Sequence, residues 1–271
     1  MGADAKAGGG VHAFDRATGR ERWKFAIAFG VNGPMAGVGR RAFAYAPRQG
    51  EIVSFDVDSG ELRWRVAARV PGFEGPGAIG NRVFAGTDDG LLRAMNAETG
   101  REEWRAELGA AVTTSVSAFE DSVYAGIADG TIVRVDPGNG DVLGSRKVDE
   151  KLRPRSVLVR VGDTLLVLLS NESADYLSLV SLDRKLETIR WRQTATKNWS
   201  TSRAFVWKNT VILGTSSGEV TGYCVADGTK GWSHTVRGSV RSIGGSDDAL
   251  YVTTQGGSLY ALRPTEVCGA K

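Results

Sequence analysis

Two cysteines, two histidines, seven prolines and no long apolar run are the first things the 271 residues withhold. Each shortage removes a class. No stretch approaches the ~20 apolar residues of a membrane-spanning helix. The opening, Met1 to Gly10, carries no apolar core of the secretory-signal kind. His12 and His234 lie far apart in the chain, so neither a His/Cys metal cluster nor a Ser-His-Asp triad has local support. The net charge of +3 is spread along the chain with no run of one sign, which argues against nucleic acid or an anionic membrane as partner. Cys224 and Cys268 have no C-x-x-C spacing. The simpler reading is one buried thiol and one in a loose tail; a disulfide between adjacent repeats is the alternative, and spacing does not choose.

What the chain has in quantity is glycine, with 36, and seven tryptophans. They recur together. Asn96 is followed by Thr99, Gly100 and Trp104; Asp15 by Thr18, Gly19 and Trp23; Asp56 by Ser59, Gly60 and Trp64. Weaker copies stand at Asp136 with Gly140, at Asp183 with Trp191, and at Gly228 with Trp232. Marking the residue six before each turn Asp gives Gly9, Gly50, Gly90, Gly130, Leu177, Gly218 and Gly257. The period of about 40 is that of a four-stranded blade in a β-propeller.

Within each period four short strands, A to D, are expected. Strand A is placed in small and polar stretches: Thr113–Val116, Ser200–Ser202 and Ser239–Ser242. Strand B is apolar, as in Val83-Phe84-Ala85-Gly86. Strand C alternates, with one apolar position at Val11, Ile52, Leu92, Ile132, Leu179, Val220 and Leu259 and another at Phe14, Phe55, Met95, Val135, Leu182, Tyr223 and Leu262. Three residues separate the two positions, so they face opposite sides of the sheet. A sheet apolar on both sides must be covered on both, as stacked blades are. Between those positions the residue is small (Ala13, Ser54, Ala94, Ser181, Gly222, Ala261), leaving room for the strand D indole at Trp23, Trp64, Trp104, Trp191 or Trp232. The fourth repeat breaks both rules at once, with Arg134 at the small position and Gly144 at the Trp position; the arginine stem is expected to fill the gap.

The count is six A, six B, seven C and six D strands: an all-β propeller of four-stranded antiparallel blades, about six complete-equivalent blades, or seven with a split terminal one. It forms a single domain over 1–271, with repeats near 9–30, 31–70, 71–109, 110–150, 151–195, 196–236 and 237–263. Six extra residues around 171–176 lengthen one B–C hairpin. The abrupt start suggests an excised piece whose missing A and B strands lie upstream.

The pattern Gly-x-(apolar)-x-Ala-x-Asp/Asn-x-x-Thr-Gly-x-x-x-Trp resembles the PQQ-like (quinoprotein-type) β-propeller repeat over residues 9 to 263. That resemblance implies one of three things: an assembly scaffold of the outer-membrane type called BamB, a sensor domain of bacterial Ser/Thr kinases, or a quinone-dependent dehydrogenase. A dehydrogenase of this kind needs a quinone, oxygen-bound Ca²⁺ and a catalytic Asp; several also use a vicinal Cys-Cys, which is lacking. The turn aspartates do not continue as Ca²⁺ loops, since the twelfth residue from Asp56 is Ala67 and from Asp136 is Lys147. The expectation is therefore a non-catalytic module with no cofactor and no metal, extracytoplasmic in a bacterium, and most simply a sensor or interaction domain of a membrane-attached protein. It would bind a protein or small ligand on its variable loop face. Candidates there are Arg69, Phe73 and Glu74; Arg153 and Arg155; Lys197, Asn198 and Trp199; and Arg237 and Arg241. The turn glycines Gly19, Gly60, Gly100, Gly140 and Gly228 and the five in-phase tryptophans are read as structural.

Overall fold

The computed structural model describes residues 9–27, 30–47, 50–68, 74–171, 176–195, 203–264 and 268. The described residues form 25 strands and no helix, arranged as consecutive antiparallel sheets of a β-propeller. Two compact units divide them, Met1–Lys147 and Val148–Lys271.

In the first unit, sheet 1 holds β1 (Gly10–Phe14) and β2 (Glu21–Ala26). Sheet 2 holds β3 (Asn32–Val38), β4 (Arg41–Ala46), β5 (Glu51–Asp56) and β6 (Leu62–Ala67). Sheet 3 holds β7 (Gly77–Ile79), β8 (Arg82–Gly86), β9 (Leu91–Asn96) and β10 (Glu102–Glu107). Sheet 4 holds β11 (Ser117–Phe119), β12 (Ser122–Gly126), β13 (Thr131–Val135) and β14 (Val142–Lys147). In the second unit, sheet 5 holds β15 (Arg153–Val161), β16 (Thr164–Ser170), β17 (Leu177–Asp183) and β18 (Ile189–Ala195). Sheet 6 holds β19 (Phe205–Trp207), β20 (Thr210–Gly214), β21 (Glu219–Cys224) and β22 (Lys230–Thr235). Sheet 7 has three strands, β23 (Val240–Gly245), β24 (Leu250–Thr254) and β25 (Leu259–Leu262). Of the extra residues of the fifth repeat, Asn171 and Tyr176 bond each other between β16 and β17, and 172–175 lie outside the described residues.

Strand A begins later than the sequence suggests in the fourth repeat. β11 starts at Ser117 and β19 at Phe205, while 200–202 lies outside the described residues. The cause in the fourth repeat is side-chain competition for backbone groups. Thr114 Oγ1 accepts the Gly126 N–H at 2.8 Å and Ser115 Oγ accepts that of Gly75 at 3.0 Å, which replaces a regular ladder.

Packing follows the two-sided alternation. Ile52 of sheet 2 buries against Met95 and Val83 of sheet 3, and Leu92 of sheet 3 against Val135 and Val123 of sheet 4. Val220 of sheet 6 does the same with Leu250 and Val252 of sheet 7. Each such side chain, fully buried, contributes about 1.5–3 kcal/mol relative to exposure. The first and last sheets show the rule by exception. Phe14, on the side of sheet 1 away from sheet 2, is 59% exposed; Leu259, on the side of sheet 7 away from sheet 6, is 67% exposed.

Indoles tie sheet 1 to 2, 2 to 3, 3 to 4 and 5 to 6. Every in-phase indole stands directly across from the small residue of strand C: Trp23 from Ala13, Trp64 from Ser54, Trp104 from Ala94, Trp191 from Ser181, Trp232 from Gly222. A buried indole N–H needs an acceptor. Trp23 donates to the Val57 carbonyl (2.9 Å), Trp64 to Ala97 (3.0 Å), Trp104 to Pro137 (3.3 Å) and Trp191 to Val225 (2.9 Å). All four carbonyls belong to the residue just after the turn Asp, Asn or Cys of the following sheet. That turn's glycine lies flat on the ring: a Cβ at Gly60 would come within 2.6 Å of Trp23, and one at Gly100 within 2.8 Å of Trp64. These glycines also have φ of +74° and +72°, so both backbone and contact require glycine. In sheet 4, Arg134 stands opposite Gly144 and is half-buried, with Nε donating to Ser122 Oγ at 2.7 Å. It points into the sheet, as its place in the missing indole's row requires.

The last indole differs. Trp232 Nε1 is buried without a partner. Beside it a disulfide joins Cys224, at the turn position that Asp or Asn fills in the preceding sheets, to Cys268 beyond sheet 7. The bond lies against Gly231 at the start of β22. This corrects the reading of one buried and one loose thiol. Closing a 44-residue separation is worth about 4 kcal/mol in the chain-entropy account.

Gly100→Ala and Gly80→Ala separate the ring contact from backbone strain, because both positions have positive φ but only Gly100 meets an indole. The expected result in urea unfolding is that Gly100→Ala loses about 1–3 kcal/mol more than Gly80→Ala, the usual cost of overpacking; equal losses would dismiss the clamp.

Candidate functional site

The turns that precede strand D are built alike. Asp15 Oδ1 accepts the Thr18 N–H, Asn96 Oδ1 those of Glu98 and Thr99, and Asp136 Oδ1 those of Gly138 and Asn139. Each of these Oδ1 atoms is committed to the backbone. No group of three or more His, Cys, Asp or Glu side chains is placed to hold a cation among the described residues.

Asp56 is the most constrained of these carboxylates. Its Oδ1 accepts N–H groups of Asp58 (3.0 Å) and Ser59 (3.1 Å), and its Oδ2 accepts from Arg63 (3.0 Å) and Arg41 (3.3 Å). Arg41 also pairs with Glu98 of sheet 3, carrying the network from one sheet to its neighbour. The Ser59 N–H first, then the Arg63 guanidinium, hold the Asp56 carboxyl far below the usual carboxylate range, against the opposing pull of burial. In sequence these arginines look like ordinary surface charge; only the fold gathers them.

The candidate recognition residues divide by unit. Arg69 and Phe73 in the first unit, and Lys197, Asn198 and Trp199 in the second, lie outside the described residues. Glu74 is half-buried and accepts a 2.7 Å hydrogen bond from Ser115 Oγ, which itself accepts the N–H of Gly75. A Cβ on Gly75 would fall 2.2 Å from the Pro34 carbonyl oxygen. Glu74 thus belongs to an internal tie between the lead-ins of successive sheets.

In the second unit the remaining candidates sit on or just before first strands. Arg153 and Arg155 lie on β15, Arg237 precedes β23 and Arg241 lies within it. Irregularities in register fall between Arg155 and Val159 and between Val240 and Ser242, so Arg241 drops out of the ladder. Such bulges re-aim side chains. Next to Arg155, Ser156 has φ of +66° and a buried Oγ without a partner. Arg155, Arg237 and Arg241 are exposed, and none has a carboxylate partner among the described residues. By contrast, arginines on the second to fourth strands such as Arg63, Arg82, Arg93 and Arg192 are ion-paired.

Charge separates the first strands of the two units. Residues 150–161, 203–207 and 237–245 carry Lys151, Arg153, Arg155, Arg160, Arg203, Arg237 and Arg241 with Glu150 as the lone acid; 30–38, 74–79 and 110–119 carry only Glu74. A polar hollow that the sequence did not suggest lies at the β17–β18 turn, lined by Asp163, Asp183, Arg184, Lys185, Glu187 and Arg190. Its charges largely answer one another: Asp163 pairs with Arg184 at 3.0 Å and with Arg190 at 2.6 Å.

Comparison with known proteins gives a consistent answer on architecture. A family profile described as outer membrane protein assembly factor BamB matches residues 7–171 and 177–266. A quinoprotein ethanol dehydrogenase of Pseudomonas putida is 29% identical over 126 residues, 45% of this chain and 20% of that protein. The outer membrane protein assembly factor BamB of Bordetella pertussis is 29% identical over 143 residues, 49% of this chain and 36% of its own length. The crystal structure of BamB from Moraxella catarrhalis superposes with a TM-score of 0.64 at 15% identity, covering 94% of this chain and 93% of that one. The matches thus span about a fifth of the dehydrogenase and about a third of the Bordetella factor.

The Asp56 network yields a pH test. Its folded pKa is depressed, so its contribution is whole above the unfolded value of about 4 and fades as pH falls below that. Urea midpoints of the wild type and Asp56→Asn should differ most at pH 7, and the gap should narrow steadily as pH falls from 4 to 2. A gap that does not change with pH would show that the charge contributes nothing.

Proposed function

Because the chain belongs to the PQQ-like β-propeller family with the BamB profile, we propose that it is a non-catalytic interaction scaffold that recognises an acidic partner through the first strands of its second unit. The observation that carries this reading is the group Arg155, Arg237 and Arg241: exposed, freed from regular pairing by bulges or lead-ins, and lacking a carboxylate partner among the described residues. Guanidinium groups presented on a rigid sheet suit bidentate capture of carboxylates.

The quinone-enzyme reading fits less well. No three described His, Cys, Asp or Glu side chains gather where they could hold a cation, and the two cysteines bond each other across 44 residues instead of forming a vicinal pair. Between the two scaffold versions, the profile description and the Moraxella superposition favour an outer-membrane assembly role over a kinase-attached sensor. The disulfide supports an extracytoplasmic setting, since such bonds persist in oxidising compartments. No described helix is long and apolar enough to cross a membrane.

Two titrations of the full chain test this. Adding pyrroloquinoline quinone with Ca²⁺ should give no saturable change in the quinone absorption band; a saturable one would defeat the non-catalytic reading. A labelled hexaglutamate peptide should bind with an affinity that falls as salt rises and drops at least tenfold in Arg155→Glu/Arg241→Glu. An unchanged affinity in that variant would remove the basic strands from recognition.

A further inference from the structure

The outer edge of sheet 7 is unlike every other outer edge in the molecule. Sheets 1 to 6 end on β2, β6, β10, β14, β18 and β22, and each of these strands carries at least one Arg, Lys or Glu. Charged side chains on edges are a common guard against unwanted strand pairing. Sheet 7 ends on β25, Leu259-Tyr260-Ala261-Leu262, which has none. Beyond it the chain reaches Cys268, whose bond to Cys224 holds it against sheet 6. The described part of the tail therefore does not fold back as a fourth strand.

The five complete sheets specify what such an edge accepts. Across four of them, all but sheet 4, runs a row of three: an apolar residue on strand B, a small one on strand C, an indole on strand D. Phe43, Ser54 and Trp64 form one row, and Phe84, Ala94 and Trp104 another. In these rows the strand B ring meets the indole at 5.6 and 5.7 Å between centroids. Sheet 7 carries the first two members, Tyr251 paired with Ala261. Phe43 and Phe84 are fully buried between their row and the following sheet, whereas Tyr251 is 44% exposed and Ala261 is exposed as well. Leu259, whose counterparts in the other sheets are almost fully buried, is 67% exposed beside them.

We infer that the edge of β25 accepts an extended segment of a partner protein as a fourth antiparallel strand, with a tryptophan of that segment seated over Ala261 beside Tyr251. Main-chain hydrogen bonds supply affinity in such strand addition, and the side-chain slot supplies selection. The register follows from the other sheets: the guest tryptophan lies opposite Ala261, the next residue opposite Tyr260, and the one after that over Leu259, as Trp64, Arg65 and Val66 lie opposite Ser54, Val53 and Ile52. This surface is separate from the basic first strands, so it stands whether or not they bind acidic partners.

The probe is a fluorescein-labelled peptide of residues 101–107, Arg-Glu-Glu-Trp-Arg-Ala-Glu, added to the full chain and followed by anisotropy. Saturable binding is expected, weakened at least tenfold when the peptide tryptophan is replaced by serine. It should be weakened equally in Ala261→Arg, a change at an exposed position that is expected to leave the thermal midpoint in place. The Arg155→Glu/Arg241→Glu protein should bind this peptide as the wild type does. Absence of binding at millimolar peptide, binding indifferent to both substitutions, or a chain that sediments as a dimer with the edge already occupied would overturn the inference.

Discussion

An indole N–H donated to the carbonyl of the next sheet's turn, with that turn's glycine lying on the ring, is the contact on which the repeat is built. It explains three features that look unrelated in the chain. The small residue on strand C is there because the indole stands directly across from it, as Ser54 does with Trp64. The turn glycine is there because a Cβ would strike the ring of the preceding sheet. The Asx turn is there because it aims a carbonyl, such as that of Val57, at the indole nitrogen. Apolar burial between sheets provides most of the stabilisation, but the clamp sets which sheet follows which and at what offset.

Where the clamp is altered, something else takes its place. In sheet 4 the indole and the small residue exchange roles, and Arg134 occupies the row with its guanidinium on Ser122. At sheet 6 the turn aspartate becomes Cys224, and a covalent bond to Cys268 lies beside an indole whose nitrogen has no partner. An unpaired buried donor costs about 1–3 kcal/mol, less than the roughly 4 kcal/mol of the disulfide, so the bond more than offsets the missing acceptor.

Much of this was legible in the chain because the contacts repeat. Five tryptophans in phase with five small residues, and strand C apolar at two positions of opposite parity, were enough to place strands B, C and D. Strand A was not legible in the fourth repeat, because Thr114 and Ser115 use their hydroxyls on backbone groups and delay β11 to Ser117. Nor was the pairing of Cys224 with Cys268, which depends on where the tail lies after β25. The candidate site was only partly legible. The turn-proximal arginines around Asp56 resemble Arg155 and Arg241 in sequence, yet the first group is consumed by a buried carboxylate and the second is not. Composition alone does not separate them.

The clamp also has a direction: at four junctions one sheet contributes a ring forward and the next a turn backward, in the same format each time. A gene encoding such a chain can gain or lose whole forty-residue modules by unequal recombination, and each new junction arrives with both halves of its fastening already matched. Copy number is then free to drift while the junction chemistry stays fixed, and selection is left to act on the segments that the fastening does not use.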